Sequence, residues 1–230
     1  MLTNEQDKYI TARFYYYLMR LDIHVHSCFS DGVPTPREIV ERCKKIGLSG
    51  VAITDHDVIE GSLEALKYAS RDFTVIPGLE VSSTEGHILA LGVKEKIDAG
   101  LSAYDTIRII HKMGGIAVAA HPYDSWRKGV GDLILSLPFD AVEVINGHTF
   151  GNTKNPVEMA GKAKLPTVGG TDAHSLHEIG NVSINVDGEP LECIKKGKVE
   201  IKSISQLKFP LAHARTLADR VMAGVKKKIR

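Results

Sequence analysis

The chain of 230 residues contains little that would place it outside a reducing, aqueous compartment. Its only cysteines are Cys28, Cys43 and Cys193, an odd number without CxxC spacing. That pattern argues against a disulfide framework and favours a reducing compartment. The sequence also lacks an apolar run of about 18 residues and a signal-peptide pattern, so we expect a cytosolic (cytoplasmic) protein with no membrane partner.

An excess of charge of one sign is also missing. Lys and Arg number 29 against 28 Asp and Glu, which leaves a net charge of +1 with neutral histidines. A balance so close to zero gives no global attraction to nucleic acid or to an anionic membrane. The local exception is the basic tail 225–230 (VKKKIR), which we interpret as a solvated helix end rather than a nucleic-acid contact.

Internal repeats, low-complexity tracts and Pro/Ser-rich linkers are absent, so we expect one domain over residues 19–230. Residues 1–18 form an N-terminal extension in this interpretation. Because Met19 leads directly into the first predicted strand, the alternative is that translation begins at Met19. The sequence does not indicate an oligomeric state.

The chain alternates short apolar strands with amphipathic helices. GVAIT (50–54) and GIAVAA (115–120) indicate buried strands, and a final helix is predicted over 209–228. TPREIVERCKKIG (35–47) predicts a helix with Thr35 as N-cap and Glu38 completing a capping box. Strands dense in Val, Ile and Ala between helices favour a parallel sheet that helices cover.

Histidines and polar side chains gather at the ends of these predicted strands. LDIHVHSCFSDG (21–32) contains the first of them, and the set is His24, His26, Asp31, His56, Glu80, His87, His121, Glu143, Asn146, Asp172 and His174. In a parallel α/β barrel every strand presents its C-terminal end to one face, so these side chains would share one pocket. An open doubly wound sheet would spread them over too wide a front, and the pattern therefore favours a barrel.

Many histidines with several carboxylates in one pocket are typical of a site for divalent cations such as Zn²⁺ or Mn²⁺. His24 and His26 lie two apart on a strand and project from the same face. Taken alone, this pair equally fits a polar strand end beside a turn. The later clusters favour the metal site, and because carboxylates can bridge two ions, the mixed set suggests more than one ion.

Five ordered motifs resemble the signatures of the PHP (polymerase and histidinol phosphatase) domains. They are HVHSCFSDG, ITDHD, GLEVSSTEGH, AAHPY and GGTDAHS, and the resemblance extends from about Leu21 to Gly180. It implies an α/β fold, a distorted seven-stranded (β/α) barrel of TIM-like type, with the active site at the C-terminal ends of the strands. It also implies up to three divalent ions (Zn²⁺, Mn²⁺ or Fe²⁺).

The resemblance further implies how nine residues would share these ions. One ion would be held by His24, His26, Glu80 and Asp172, a second by Glu80, His87 and His121, and a third by Asp31, His56 and His174. All of them except His87 are also expected to be catalytic. Every ligand position is filled, which speaks against the non-catalytic members of the fold.

Asp31, together with Glu80 and His87 seven residues later, resembles the branch that acts on nucleotide or short RNA phosphates. That branch often carries a large insertion after the Glu/His motif. Here only residues 88–120 separate His87 from His121, so we expect a more open pocket.

The expected chemistry is hydrolysis of a phosphate ester by a metal-activated water. The sequence lacks a GxSxG elbow, a P-loop and an HExxH motif, which fits this mechanism better than covalent catalysis. HPYDSWRKG (121–129) is the expected recognition loop, with Arg127 and Lys128 for phosphate and Trp126 or Tyr123 for a base. The alternative is an ordinary surface loop whose Trp126 fills a minor core.

His148 and His177 are candidate substrate-binding or proton-transfer groups, with a structural or surface role as the alternative. We expect His111 and His213 to be structural or exposed. Gly169 and Gly170 are expected to let the backbone approach the metal cluster closely.

Three hypotheses for function follow. The first is a phosphoesterase for small phosphomonoesters, such as those of nucleotides, with histidinol phosphate as a lower-ranked substrate. The second is an exonuclease on short RNA or DNA, for which a net charge of +1 offers no extended basic groove. The third is a non-catalytic nucleic-acid-binding subunit that uses the basic tail.

Overall fold

The computed structural model describes residues 18–124 and 126–204. The strands in these ranges are β1 (Met19–Val25), β2 (Gly50–Ile53), β3 (Thr74–Ile76), β4 (Gly78–Ser82), β5 (His87–Leu91), β6 (Ile116–Ala119), β7 (Ala141–Asn146), β8 (Thr167–Gly170), β9 (Val182–Val186) and β10 (Glu200–Ser203). The helices are α1 (Pro36–Lys45), α2 (Glu60–Leu66), α3 (Ala103–Lys112), α4 (Pro156–Ala163) and α5 (Pro190–Lys195), with a short 3₁₀ helix at Gly131–Leu135.

Some predictions concern residues beyond these ranges. The helix predicted over 209–228, His213 and the basic tail lie outside the described residues, as does the extension up to residue 17. Within the described ranges, no helix is both long and apolar enough to cross a membrane.

The start of α1 confirms the predicted capping box. The Thr35 hydroxyl accepts a hydrogen bond from the backbone N–H of Glu38 at 3.3 Å, and the Glu38 carboxylate accepts one from the backbone N–H of Thr35 at 2.8 Å. Pro36 occupies the first helical position, where its missing N–H costs no hydrogen bond. These contacts fix the chain direction immediately after the loop that follows β1.

The strands form two mixed sheets, with the orders β10-β9-β1-β2-β3 and β4-β5-β6-β7-β8. The expectation of a parallel sheet is therefore wrong for the pairs β1–β9, β9–β10, β4–β5 and β5–β6, which are antiparallel. Only residues 83–86 separate β4 from β5, too few for the crossover that parallel strands need. Both strands are largely buried, so their apolar runs resemble those of a parallel sheet.

Two isolated parallel bridges connect the sheets to each other. One joins Val25 at the end of β1 to Ala173 beyond β8, and the other joins His56 beyond β2 to Glu80 in β4. The residues described here thus show an α/β fold of two mixed five-stranded sheets, and no closed seven-stranded sheet is present among them. Both bridges lie beside predicted ligands.

Apolar side chains from the two sheets pack against each other in the core. Leu21 and Ile23 of β1 belong to the same buried cluster as Leu89 and Leu91 of β5. A second cluster joins α3, through Ile107, to β5, β6 and β7. Each such side chain contributes about 1.5–3 kcal/mol when fully buried, so the strand ends that carry the polar residues rest on a well-packed base.

Candidate metal centre

β1 ends in the two histidines of the HxH motif. His24 and His26 are fully buried, and their ring centroids lie 5.2 Å apart. The chain then turns back over the strand end. At Gly32 an added Cβ would stand 2.3 Å from the carbonyl oxygen of His26, so only glycine allows the loop to close this tightly.

Asp55 holds that loop in place. Its carboxylate accepts hydrogen bonds from the Ser27 backbone N–H at 2.6 Å, the Ser27 hydroxyl at 2.6 Å and the Ser30 hydroxyl at 2.7 Å. The TDH motif therefore has two roles, because Asp55 orders the first motif while His56 faces the pocket.

Glu80 lies at the centre of the cluster and is fully buried on β4. Its Oε2 lies near ring nitrogens of three histidines: His24 at 3.4 Å, His26 at 3.3 Å and His56 at 3.1 Å. Its Oε1 lies near two others: His87 at 3.2 Å and His121 at 3.1 Å. The two oxygens of one carboxylate therefore face two different sets of imidazoles.

His87 joins this cluster from the beginning of a strand. Because β5 runs antiparallel to β4, its first residue lies at the same edge of the sheet as the ends of the parallel strands. The structure thus places His87 beside Glu80, at the edge of the sheet where the other predicted ligands lie.

The more open side of the cluster contains Asp31 and His174. Asp31 Oδ2 lies 3.1 Å from His174 Nε2, and Asp31 Oδ1 lies 3.7 Å from His26 Nδ1 and 4.0 Å from His56 Nε2. The Asp31 side chain is 47% exposed, whereas the Glu80 side chain is not exposed at all. This side of the cluster is therefore the more exposed to solvent.

Asp172 and His121 take backbone conformations that non-glycine residues rarely adopt. Their φ angles are +55° and +29°. In this conformation Asp172 Oδ1 lies 3.2 Å from His26 Nε2. Strain of this kind is typical of functional sites, where neighbouring contacts hold it.

Several ring nitrogens in the cluster are suited to a metal ion. Both ring nitrogens of His26, Nδ1 of His87 and Nδ1 of His121 are buried and make no hydrogen bond among the described residues. Ligand atoms of His24, His26 and Glu80 lie within 4.8 Å of one another, as do those of His26, Asp31, His56 and His174. Buried imidazoles beside buried carboxylates match the donor set of a divalent transition metal.

The protonation of the metal-free cluster follows from its buried charges. Burial lowers the pKa of His24, but the carboxylates of Glu143 and Glu80 outweigh that effect and raise it to about 10. Burial likewise opposes ionisation of Glu80, yet the surrounding histidines hold its pKa well below the usual range. The more exposed His56 has its pKa lowered to about 4, mainly by burial. The buried carboxylates that favour a proton on His24 would equally favour a bound cation in its place.

The predicted recognition loop brings Arg127 to the cluster. The Arg127 guanidinium contacts the Asp172 carboxylate, while Lys128 is exposed and Trp126 is 87% exposed. Trp126 thus does not fill a minor core. The Asp124 carboxylate orders the turn by accepting the backbone N–H groups of Trp126 at 2.7 Å and Arg127 at 3.2 Å.

The remaining aromatic and histidine residues considered from the sequence do not all lie at the cluster. Tyr123 is buried and its hydroxyl donates to Asp132 at 3.1 Å, so its ring does not offer a stacking surface. His148 is buried against the His174 ring, with centroids 5.0 Å apart, and its Nε2 lies 2.5 Å from Glu178. His177 is exposed. His111 is exposed on α3 and its Nε2 lies 2.7 Å from the Asp140 carboxylate, as expected for a structural histidine.

Of the two neighbouring glycines, only Gly170 approaches the cluster. An added Cβ there would stand 2.5 Å from Cβ of His24, whereas at Gly169 it would meet core side chains of Ile201 and Val182.

Three buried carboxylates support the cluster without having been assigned a role from the sequence. Glu143 bonds to His24, Asp22 accepts from Thr171 beside Asp172, and Glu178 accepts the backbone N–H of His174 at 2.8 Å. Glu143 stood at a predicted strand end, which is the one signal that could have identified it. Asp22 and Glu178 carry no such signal because their partners are distant in sequence or belong to the backbone.

Comparison with known proteins agrees with this geometry. The family model for the PHP domain matches residues 22–133, and the model for the PHP-associated region matches residues 157–199. An uncharacterized protein of Methanocaldococcus jannaschii is 40% identical over 143 residues, which cover 56% of this chain and 83% of that protein. The 3',5'-nucleoside bisphosphate phosphatase of Chromobacterium violaceum is 34% identical over 96 residues, which cover 40% of this chain and 34% of the phosphatase.

A solved structure from Bacteroides vulgatus, a two-domain protein described as containing a PHP-like metal-dependent phosphoesterase, has a TM-score of 0.64. It is 19% identical, and the match covers 80% of this chain and 64% of that one, so it supports the fold alone. The chain belongs to the PHP domain family. It spans about a third of the length of the named phosphatase.

Proposed function

We propose that this chain is a metal-dependent phosphoesterase that hydrolyses phosphomonoesters, of nucleotides or of short nucleic-acid ends, at a site for up to three divalent ions. The arrangement around Glu80 carries the proposal. One buried carboxylate faces His24, His26 and His56 with one oxygen and His87 and His121 with the other. Such a carboxylate suits a bridge between two cations.

We assign the ligands by the pattern that the family resemblance implies. His24, His26, Glu80 and Asp172 would hold the first ion; Glu80, His87 and His121 the second; and Asp31, His56 and His174 the third. The distances of 3.1–3.2 Å from Glu80 Oε1 to His87 and His121 support the second set. His26 and His56 also lie near members of neighbouring sets, which supports closely spaced ions.

Bound divalent ions would supply a water that ionises near neutral pH and would neutralise the phosphoryl oxygens and the leaving oxygen. The chain's own residues would position the substrate. Arg127 reaches the cluster, so its planar guanidinium is placed to bind a phosphate with two N–H groups, and the exposed Lys128 would add a point charge. Buried imidazoles and carboxylates exclude bulk water from the inner side of the site.

The exonuclease alternative has one observation in its favour. Trp126 is 87% exposed beside Arg127, where a base could stack on the indole.

We also propose that the two sheets form a distorted barrel, because isolated bridges connect them at Val25–Ala173 and at His56–Glu80. That barrel would belong to a single domain.

A phosphate-release screen tests the proposal. The purified full chain, supplied with Mn²⁺ or Zn²⁺, is assayed on nucleotides, 3',5'-bisphosphates, sugar phosphates, histidinol phosphate and short oligonucleotides. We expect release from at least one phosphomonoester, and complete loss in the His24→Ala/His26→Ala variant while circular dichroism stays unchanged. Cleavage of oligonucleotides alone would favour the exonuclease. Absence of both phosphate release and oligonucleotide cleavage would contradict the enzyme and favour the non-catalytic alternative.

A further inference from the structure

Glu143 lies on β7 and is 1% exposed, but it belongs to none of the possible ligand groups among the described residues. Both of its oxygens are engaged. Oε1 lies 2.9 Å from Nδ1 of His24, and Oε2 accepts the backbone N–H of His121 and the side-chain amide of Asn146, each at 2.9 Å. One carboxylate thus contacts two of the proposed ligand residues directly.

Asn146 extends this contact to a third ligand residue. Its side-chain N–H₂ group donates to Glu143 and also to Asp172 Oδ2 at 3.2 Å, while its carbonyl oxygen accepts the backbone N–H of His148 at 2.8 Å. All its hydrogen-bonding atoms therefore have partners, and the amide can take only one orientation. Glu143 and Asn146 together connect His24, His121 and Asp172.

We propose that Glu143, with Asn146, is the positioning residue that selects the metal-binding tautomer of His24 and holds His121 and Asp172 in their strained conformations. A carboxylate can only accept at Nδ1 of His24, so Nδ1 carries the proton. The lone pair of Nε2 is then available on the side that faces Glu80 at 3.4 Å and Asp172 at 3.7 Å. Such carboxylate–histidine pairs orient metal ligands in many proteins. This inference rests on the proposed metal centre.

The role of Glu143 at His121 is conformational. The φ of +29° at His121 lies in a region that non-glycine residues rarely adopt, and the hydrogen bond from its N–H to Glu143 Oε2 helps to hold it. A neutral amide at position 143 could not satisfy all three donors. If its oxygen faced His24, its N–H₂ group would meet the N–H groups of His121 and Asn146.

The opposite orientation of that amide fails at His24. With the amide oxygen on His121 and Asn146, its N–H₂ group would donate to Nδ1 of His24 and drive the ring proton to Nε2. A protonated Nε2 cannot bind a cation. Glu143→Gln therefore removes one ligand or the other, although its shape is nearly unchanged.

The experiment compares Glu143→Gln and Asn146→Ala with wild type and with Asp140→Asn. Asp140 is a matched control, because its carboxylate also accepts a backbone N–H, that of Ala117 in β6 at 2.8 Å, but it touches no proposed ligand. Binding of Mn²⁺ is measured by calorimetric titration, and Co²⁺ is used for its absorption spectrum. Near-ultraviolet circular dichroism checks the fold of each variant.

We expect Glu143→Gln to weaken metal binding by about 10–100-fold and to change the Co²⁺ spectrum, with a smaller loss in Asn146→Ala and none in Asp140→Asn. Unchanged affinity and spectrum in both site variants would overturn the inference while leaving the metal centre intact. Equal losses in Asp140→Asn would also overturn it, by showing a general packing effect. If Glu143→Gln does not fold, Asn146→Ala alone decides. A wild type that binds neither ion contradicts the proposed function itself.

Discussion

Gly170→Ala tests how closely β8 must approach β1 at the centre. The added Cβ would stand 2.5 Å from His24 Cβ, 2.8 Å from Glu143 Oε1 and 3.3 Å from the His24 backbone nitrogen. Because carbon atoms pack at about 3.5 Å or more, the two strand ends would have to separate by about 1 Å. Overpacking of this kind costs about 1–3 kcal/mol. For a chain of this size each kcal/mol lowers Tm by about 2–4 °C.

The same displacement moves the His24 ring away from Glu143, so metal affinity should fall by about tenfold or more. Urea unfolding in the presence of a chelator measures the packing cost, and calorimetric titration with Mn²⁺ measures the effect on the centre. Gly161→Ala is the control, because Gly161 lies on α4 and a Cβ added there would meet no atom within 4 Å apart from the backbone of its own helix. It should be neutral or stabilise by up to about 1 kcal/mol. A Gly170→Ala protein with wild-type unfolding and wild-type metal binding would refute this reasoning.

Three further changes have directions that follow from single contacts. Asp124→Ala removes the carboxylate that orders the Arg127 turn. A loss of about 1 kcal/mol in the free energy of substrate binding should raise KM for a phosphate substrate about fivefold, measured by steady-state kinetics. Burial raises the pKa of Asp22 to about 6 from 3.8, so metal-free protein should lose up to about 3 kcal/mol of stability as pH rises from about 4 to 6, and Asp22→Asn should lack this change in urea titrations. Thr35→Ala removes the capping box and should cost about 1 kcal/mol in the same unfolding assay.

Each of these changes has its own control. Asp124→Asn keeps an oxygen acceptor and should retain the wild-type KM, and equal kinetics for the Ala variant would show that the turn does not depend on Asp124. The sign for Asp22 follows because the folded state binds the proton more tightly than the unfolded state between the two pKa values. The prediction would be contradicted if the free energy of unfolding changed with pH in the same way in wild type and in Asp22→Asn between about pH 4 and 6. Thr35→Ser should retain the cap.

The helix start and the strand ends of the chain were predictable because the residues that determine them are close together in the sequence. The capping box of α1 and the polar ends of β1 and β2 depend on residues close in sequence, and each lies where it was predicted. The antiparallel direction of β5 was not predictable in the same way. Strand direction depends on pairing, and a strand buried on both faces carries no alternation that reveals its partner.

The supporting carboxylates illustrate the same limit at the site. Glu143 and Asn146 were noted at a strand end, but their contacts with His24 and Asp172 join residues more than twenty positions apart. Tyr123 was predicted as a possible stacking group, but it is buried and its hydroxyl donates to Asp132. A loop sequence does not show which aromatic ring faces inward. The role of Arg127 in binding phosphate stays a prediction.

The most direct test of a multinuclear centre is the metal content of the purified full chain after dialysis against Mn²⁺, measured by inductively coupled plasma mass spectrometry. We expect more than one Mn²⁺ per wild-type chain and a clear loss in His24→Ala/His26→Ala, because both histidines face Glu80 and lie near Asp172. A wild-type chain without bound metal, or equal metal content in the two proteins, would contradict the account.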